Sequence, residues 1–176
     1  MPTPPPTIRR ADRITDALVE GLTDVLTDAV DGGASVGFMS PLSPERARGY
    51  WRGVAEAVDR GERVLLYAED DGGVCGTAQL NVLMPDNQPH RADLMKVLVH
   101  RRARRLGLGA ALVRAAEGVA REAGKDLLVL DAVTGGDAAR LYERLGWVRV
   151  GDIPRYALMP DGSPCSTTYF YRDLRA

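Results

Sequence analysis

The run Val99-His100-Arg101-Arg102-Ala103-Arg104-Arg105-Leu106-Gly107-Leu108-Gly109-Ala110 holds four arginines and two glycines where a β-like segment gives way to a helical one. At the start of a helix the backbone N–H groups lack intrahelical partners, and the helix dipole leaves that end positive. Glycine there lets a ligand approach the main chain without meeting a side chain. The combination makes an anion seat of the kind that takes a diphosphate. It lacks the Gly-Lys-Ser/Thr ending of a Walker loop. It also lacks the first glycine of a dinucleotide-binding turn, and the strand before it reads as part of an antiparallel meander. A plain strand-to-helix turn with solvated arginines shares the local pattern, so the seat needs support from elsewhere in the chain.

Two carboxylates and a phenol supply further chemistry. Asp131 closes the apolar run 127–130, at the carboxyl edge of a strand, where open α/β sheets gather ligands. A charge in that place is costly without a partner or a task. Asp93 falls on an earlier strand, and period-2 counting puts it on one face with Met95, Val97 and Val99. Each carboxylate either lines a site, caps a backbone group or pairs with an arginine. Tyr142 lies in a short helix after the Asp131 strand, where it either reaches a reacting atom or packs between helix and sheet.

These groups need a scaffold, and the periodicities outline one. Ile14, Leu18, Leu22, Val25, Leu26 and Ala29 recur at helical spacing, with Asp12 or Thr15 as cap and Asp31-Gly32-Gly33 as stop. Ser43-Pro44-Glu45 starts a second helix that ends near Arg60-Gly61. Strands over 64–68, 74–84 and 91–99 make an antiparallel meander, the first two joined by the turn Asp70-Asp71-Gly72-Gly73. A helix over 108–123 follows, then the wholly apolar strand 127–130, read as covered on both faces. Strand, helix, strand at this point predicts a right-handed crossover and a parallel pair. A short helix at 137–145 and strands at 147–150 and 167–171 complete a mixed α/β sheet. Residues 1–6, rich in proline, read as a disordered lead without the apolar segment of a secretory signal.

Composition bounds the partners. At 176 residues, 45% hydrophobic and 27% charged, the chain has the balance of a soluble globular domain. A net charge of −1 gives no global reason to expect nucleic acid or a membrane surface. No apolar run approaches the roughly 18 residues of a membrane span. Cys75 and Cys165 have no metal-ligand spacing and read as free thiols of a reducing cytoplasm, with a disulfide or a nucleophile as the alternatives. His90 and His100 are isolated, so no metal site is expected.

The spacing Arg104-x-x-Gly107-x-Gly109 after the strand end Leu98-Val99 resembles the acetyl-CoA motif of the GNAT superfamily of N-acetyltransferases. So does the block Ala138-Ala139-Arg140-Leu141-Tyr142-Glu143-Arg144-Leu145-Gly146-Trp147, a short helix with a Leu-Tyr pair, then glycine and an aromatic. The resemblance implies one α/β acetyltransferase domain over residues 7–176: a mixed, mostly antiparallel central sheet, a strand-helix-strand crossover, and helices on both faces. It implies acetyl-CoA held by Leu98, Val99, Arg104, Arg105, Leu106, Gly107, Leu108, Gly109 and Ala110. Arg101 stands where proline is frequent, Arg105 where a small residue is frequent, and Gly135 where asparagine is frequent; the two arginines are candidates to pair with the 3′-phosphate. Within the superfamily the chain is most similar to the tabtoxin resistance acetyltransferases, which modify an amino-acid-like β-lactam toxin. That likeness is carried by Gly32-Gly33-Ala34-Ser35-Val36-Gly37-Phe38-Met39, with Arg91-Ala92-Asp93, Leu130-Asp131, Tyr156 and Pro160-Asp161-Gly162. It implies catalytic roles for Tyr142, Asp131 and Asp93 (glutamate in those enzymes). It also implies a substrate side that includes Ser35, Phe38, Met39 and Tyr156.

The reaction so implied sets the chemistry required. A lysine-like amine with a pKa of about 10.4 is neutral in roughly one molecule in 2,500 at pH 7, so a base is needed. A phenol near the sulfur can protonate the departing thiolate, a step near the low end of the ~10²–10⁴-fold range because thiols already have pKa near ~8.5. Direct attack in a ternary complex is expected rather than an acyl-enzyme, since Cys75 has no evident activating base. The expected partners are acetyl-CoA and a small amine, such as an amino-acid-like toxin or antibiotic, with no nucleic acid or membrane, a cytoplasmic location, and a homodimer left open. A protein N-terminal or lysine acetyltransferase and a catalytically silent acyl-CoA-binding regulatory module are the alternatives. A phosphate-binding protein unrelated to CoA is a more distant one.

Overall fold

A computed structural model describes residues 5–175. Of the expected lead at 1–6, the first four residues lie outside the described ones. A strand the periodicity did not signal comes first, β1 (Thr7–Arg10). Helix α1 (Asp16–Asp31) starts at Thr15, whose hydroxyl accepts the Leu18 amide at 3.3 Å, and stops at Gly32. Helix α2 (Pro44–Asp59) is capped by Ser43, which accepts the Arg46 amide at 3.2 Å, with proline in the first turn. The meander follows as β2 (Arg63–Asp70), β3 (Gly73–Asn81) and β4 (Arg91–Val99). β3 ends three residues short of the expected Met84. A 3-10 turn (Arg101–Ala103) leads into α3 (Leu108–Glu122), β5 (Leu127–Val133), α4 (Asp137–Arg144), β6 (Val148–Leu158) and β7 (Pro164–Asp173).

The seven strands lie in the order β1-β2-β3-β4-β5-β7-β6, and all neighbours are antiparallel except β4 and β5. The expected mixed sheet with its crossover is therefore present. Its two faces bury different cores. Helices α3 and α4 cover one face, where Leu66, Leu80, Leu94, Leu112, Leu128, Tyr142, Trp147 and Phe170 pack together. Helices α1 and α2 cover the other, with Leu22, Leu26, Trp51, Leu65, Val74 and Leu98 inside. No residue of β5, β6 or β7 belongs to the second core. On that face, helical cover stops at β4.

The expectation that β5 is covered on both faces is wrong. Leu128 and Leu130 are buried under α3 and α4, whereas Leu127 and Val129 are half-buried and Asp131 is exposed. Strand alternation turns the odd-numbered residues to the face α1 and α2 do not reach.

Candidate active site

The start of α3 has the geometry of an anion seat. The first helical hydrogen bond runs from Ala111 N–H to Gly107 C=O at 3.1 Å, which leaves the amides of Leu108, Gly109 and Ala110 ahead of it. Gly107 has φ +79°, and a Cβ built there would meet no atom within 4 Å, so the turn is open toward solvent. No acidic residue occupies the first turn of α3 to neutralise its positive end. At Gly109 a Cβ would lie 3.2 Å from Leu141 of α4 and 3.9 Å from Val99, so glycine is what lets helix, strand and α4 converge. These features fit a diphosphate-bearing cofactor. Leu106 is exposed, and Arg105 is exposed in the left-handed conformation with φ +63°.

The other arginines of the turn are committed to the protein. Arg101 gives both its backbone amide (2.9 Å) and its guanidinium to Asp28, a nearly buried carboxylate on α1. Arg102 grips Asp70 and the carbonyls of Gly73 and Val74, tying the turn to the β2–β3 hairpin. Arg104 donates to the Val99 carbonyl at 3.0 Å and comes within 3.6 Å of Asp28. Of Arg101 and Arg105, the two candidates for a 3′-phosphate, only Arg105 has no ion pair among the described residues. The carboxyl of Asp28 feels opposing influences: burial pushes its pKa up. The hydrogen bonds from Arg101 and the charges of His100 and Arg101 outweigh burial and hold it below the usual carboxylate range.

Beyond the turn, β4 and β5 part company. They pair only from Arg91↔Leu127 to Asp93↔Val129, although β4 runs on to Val99 and β5 to Val133. The cause is a bulge in β4. Its register with β3 jumps from Gln79↔Met95 to Thr77↔Leu98, so Lys96 and Val97 together face Ala78, and Lys96 takes φ +52°. The bulge overturns the period-2 reading of this strand. Ala92 and Leu94 face the α3 core before it, and Val97 and Val99 face that core after it, while Leu98 turns to the α1–α2 core. Asp93 therefore shares a face with Met95 but not with Val97 or Val99.

The three expected catalytic residues flank this gap. Asp131 stands beside Tyr169 in the ladder and accepts a hydrogen bond from Thr167 Oγ1 at 2.9 Å. Asp93 is nearby on the same face, but Arg91 holds one of its oxygens at 2.5 Å. Tyr142 approaches from the opposite face. Its ring is buried against Trp147 and Phe170, with centroids 5.7 and 6.0 Å away. Trp147 is itself fixed by its indole N–H, which donates to buried Glu117 of α3 at 3.0 Å. Burial, then the charge of Asp131, raises the Tyr142 phenol above its usual range and keeps it protonated. Cys75, by contrast, is buried in β3 with its thiol pushed up to about 11, mainly by burial, and is no nucleophile.

The expected substrate-side residues divide. Tyr156 places its hydroxyl 2.8 Å from that of Tyr169, the ladder neighbour of Asp131, and the Tyr169 pKa is pushed up to about 12 by that bond first, then by burial and by Asp131. Phe38 packs edge-on against Tyr50 of α2 with centroids 5.3 Å apart. Ser35 donates instead to the Leu158 carbonyl at 2.9 Å, and Met39 borders a shallow pocket with Met159 and Pro160. Ser35 thereby fastens the α1–α2 loop to the β6–β7 hairpin. Tyr50, Tyr169, Lys96, Arg63 and Asp28 also belong to this region, and none of them sits in a recognisable motif. A lysine in a nearly apolar strand, Leu94-Met95-Lys96-Val97-Leu98-Val99, was the one available signal among them.

Comparison with known proteins gives a family model, acetyltransferase (GNAT) family, that matches residues 29–147. An N-acetyltransferase from Staphylococcus aureus Mu50 has a similar structure, with TM-score 0.80, 17% identity, and coverage of 97% of this chain and 99% of that one. A protein from Salmonella typhimurium, described as an acetyltransferase and solved with its cofactor acetyl-CoA, gives TM-score 0.78 at 22% identity over 97% of this chain and 95% of that one. A ribosomal-protein-alanine N-acetyltransferase from Brucella melitensis gives TM-score 0.78 at 24% identity over 95% and 99%. At these identities the three likenesses are of fold.

Proposed function

The chain belongs to the GNAT family of acetyltransferases, which use acetyl-CoA as co-substrate, and from that premise we propose that it acetylates the primary amine of a small, amino-acid-like molecule. Residues 7–176 act in this reading as one acetyltransferase domain. The observation that carries it is the placement of Asp131 and Tyr142 on opposite sides of the β4–β5 gap, with the α3 seat at the end of β4.

Acetyl-CoA, when bound, supplies the acyl group and a thiol leaving group. The amides of Leu108, Gly109 and Ala110 hold its diphosphate, and Leu98 and Val99 border its arm. Asp131 takes the proton released by the attacking amine, directly or through water. Its second oxygen is the one for this task, because Thr167 engages only Oδ2. Tyr142 donates a proton to the leaving sulfur. Asp93, held by Arg91, orients the amine by charge rather than abstracting its proton. An acyl-enzyme is disfavoured by the buried, protonated state of Cys75. The two free cysteines suit a reducing cytoplasm. The tabtoxin-like loop residues and the amino-acid-like substrate class stand together in this reading. A peptide N-terminus is the second acceptor class, favoured by the lack of helical cover over β5 and β7.

The test follows thiol release from acetyl-CoA with free amino acids, simple amines and short peptides. Turnover with amino acids supports the reading, and Asp131→Asn lowers kcat roughly 100-fold or more while Asp93→Asn costs about tenfold. CoA binding without release for any amine assigns a silent acyl-CoA-binding module instead.

A further inference from the structure

We infer that Lys96 is the specificity residue of the acceptor cleft, and that the amine it selects carries a carboxylate bound by its ammonium. This rests on the acetyl-transfer reading above and adds the residue that recognises the acceptor's carboxylate.

The chain has two lysines against an abundance of arginine. Lys125 is spent on the main chain, donating to the carbonyls of Val82 (3.2 Å) and Pro89 (2.8 Å). Lys96 sits in the β4 bulge, half-buried, at the point where the two strands separate. Its ammonium lies 5.7 Å from the ring centroid of Tyr50 and within 3.7 Å of where a Cβ on Gly37 would be. Gly37 belongs to the α1–α2 loop and has φ +91°, so the loop passes over the lysine with its bare Cα. The ammonium is thus enclosed by the loop, by Tyr50 and by the sheet. A cation–π contact attracts it but supplies no counterion.

A second cation lies alongside. Arg63, at the start of β2, donates to Gln79 Oε1 at 3.1 Å, and Gln79 in turn donates to the Tyr50 hydroxyl at 3.2 Å. Neither Lys96 nor Arg63 makes an ion pair with any described carboxylate. The two acidic groups of this face are otherwise engaged, Asp93 with Arg91 and Asp131 with Thr167. Counting Lys96, Arg63 and Arg91 against Asp93 and Asp131 leaves the cleft with one excess positive charge. Burial first, and the neighbouring Arg63 second, push the lysine below its usual pKa range, while Asp131 works the other way. Holding two part-buried like charges together costs free energy that an anionic partner offsets. An amino acid supplies both halves: its amine goes to Asp131 and its carboxylate to Lys96 and Arg63. A plain amine supplies one half and leaves the two cations uncompensated.

The experiment measures thiol release with the proteinogenic amino acids and their carboxamides, matched in all but charge. Wild-type protein is expected to prefer amino acids through KM. Lys96→Gln raises that KM roughly 10- to 100-fold with kcat within about threefold, leaves the carboxamide KM and the CoA Kd unchanged, and Lys96→Arg restores part of the preference. Turnover without preference for the carboxylate, or a preference that survives Lys96→Gln, overturns the inference and leaves acetyl transfer intact. Absence of release with every amine defeats the underlying reading instead. A second measurement then still decides on Lys96. With CoA present, the Cε resonance assigned through K96Q must shift on titration with amino acids and not with their carboxamides, while Lys125 stays fixed. A Lys96 signal indifferent to both sets refutes the assignment.

Discussion

Replacing Asp28 tests whether the diphosphate turn is held in place by α1. Asp28 is 9% exposed, and its carboxyl is bonded to Arg101 twice, through the backbone amide at 2.9 Å and through the guanidinium. The amide bond is the larger contribution. Removing the acceptor leaves a part-buried N–H unpaired beside a charge-assisted partner site, at a cost of about 1.5–3 kcal/mol. The guanidinium is 59% exposed, so solvent screening limits its ion pair to about 1 kcal/mol or less. Asp28→Ala therefore loses about 1.5–4 kcal/mol, which is roughly 3–16 °C in Tm for a chain of this length. Asp28→Asn keeps an oxygen for the Arg101 amide and sheds only the charge, so it loses about 1 kcal/mol. CoA affinity, read by calorimetry, follows the same order, because a turn freed from α1 presents its amides less well. The acid limb of stability supplies a check of sign. The folded carboxyl lies below its unfolded value, so its contribution is full above the unfolded pKa near ~4 and vanishes as pH falls through the folded one. Equal Tm for the Ala and Asn variants, or wild-type CoA affinity in both, would refute the latch.

The seat and the acid make separate predictions. Gly107→Ala costs about 1–2 kcal/mol of stability through its left-handed backbone alone, since no atom lies within 4 Å of the added Cβ. Gly107→Glu adds a negative charge that, about 6 Å from a phosphate at effective dielectric of about 20–80, costs about 0.7–2.8 kcal/mol per phosphate charge. Calorimetry should show CoA binding weakened beyond that of the Ala variant by roughly 3- to 100-fold per charge, and the same Kd in both variants places the seat elsewhere. Tyr142→Phe should lower kcat roughly 10- to 100-fold with unchanged CoA Kd. Because burial and Asp131 keep this phenol protonated, the alkaline limb of the wild-type pH profile persists in the Phe variant; its disappearance would reassign that limb to Tyr142.

What the sequence disclosed was local, and what it concealed depended on distance or on one backbone angle. The turn at Gly107 and Gly109 and the block around Tyr142 are legible because each works through neighbours a few residues away. The caps at Thr15 and Ser43 are legible for the same reason. The partner of the Arg101 amide is 73 residues away in sequence, and Glu117 finds Trp147 across 30, so neither pairing has a local signature. The bulge is harder still. Lysine seldom adopts positive φ, so nothing marks Lys96 as the residue that shifts the strand by one position. That shift is why alternation, counted from Asp93, put Val97 and Val99 on the wrong face. β1, at four residues and with two arginines, is too short and too polar to announce itself. Ser35 illustrates a further limit: its hydroxyl bonds the Leu158 carbonyl 123 residues away, a loop anchorage that nothing in its local sequence announces.

In the proposed reaction, the bulge is also what would let Tyr142 and Asp131 act together from opposite faces of one sheet. In an unbroken ladder, hydrogen bonds between β4 and β5 would seal the two faces from one another. Tyr142, on α4, and Asp131, on the open face, would then be separated by a continuous backbone layer. With pairing ended after Asp93↔Val129, the strands leave a slot whose lips are unpaired peptide groups. In the proposed reaction, a thioester entering that slot would have Tyr142 on one side and Asp131 on the other. Lys96 sits in that bulge, so on the proposed reading the irregularity that opens the slot would also deliver the charge that reads the acceptor's carboxylate. Deleting Lys96 or Val97 singly should restore regular β3–β4 pairing, and acetyl transfer would be lost in a protein that still folds.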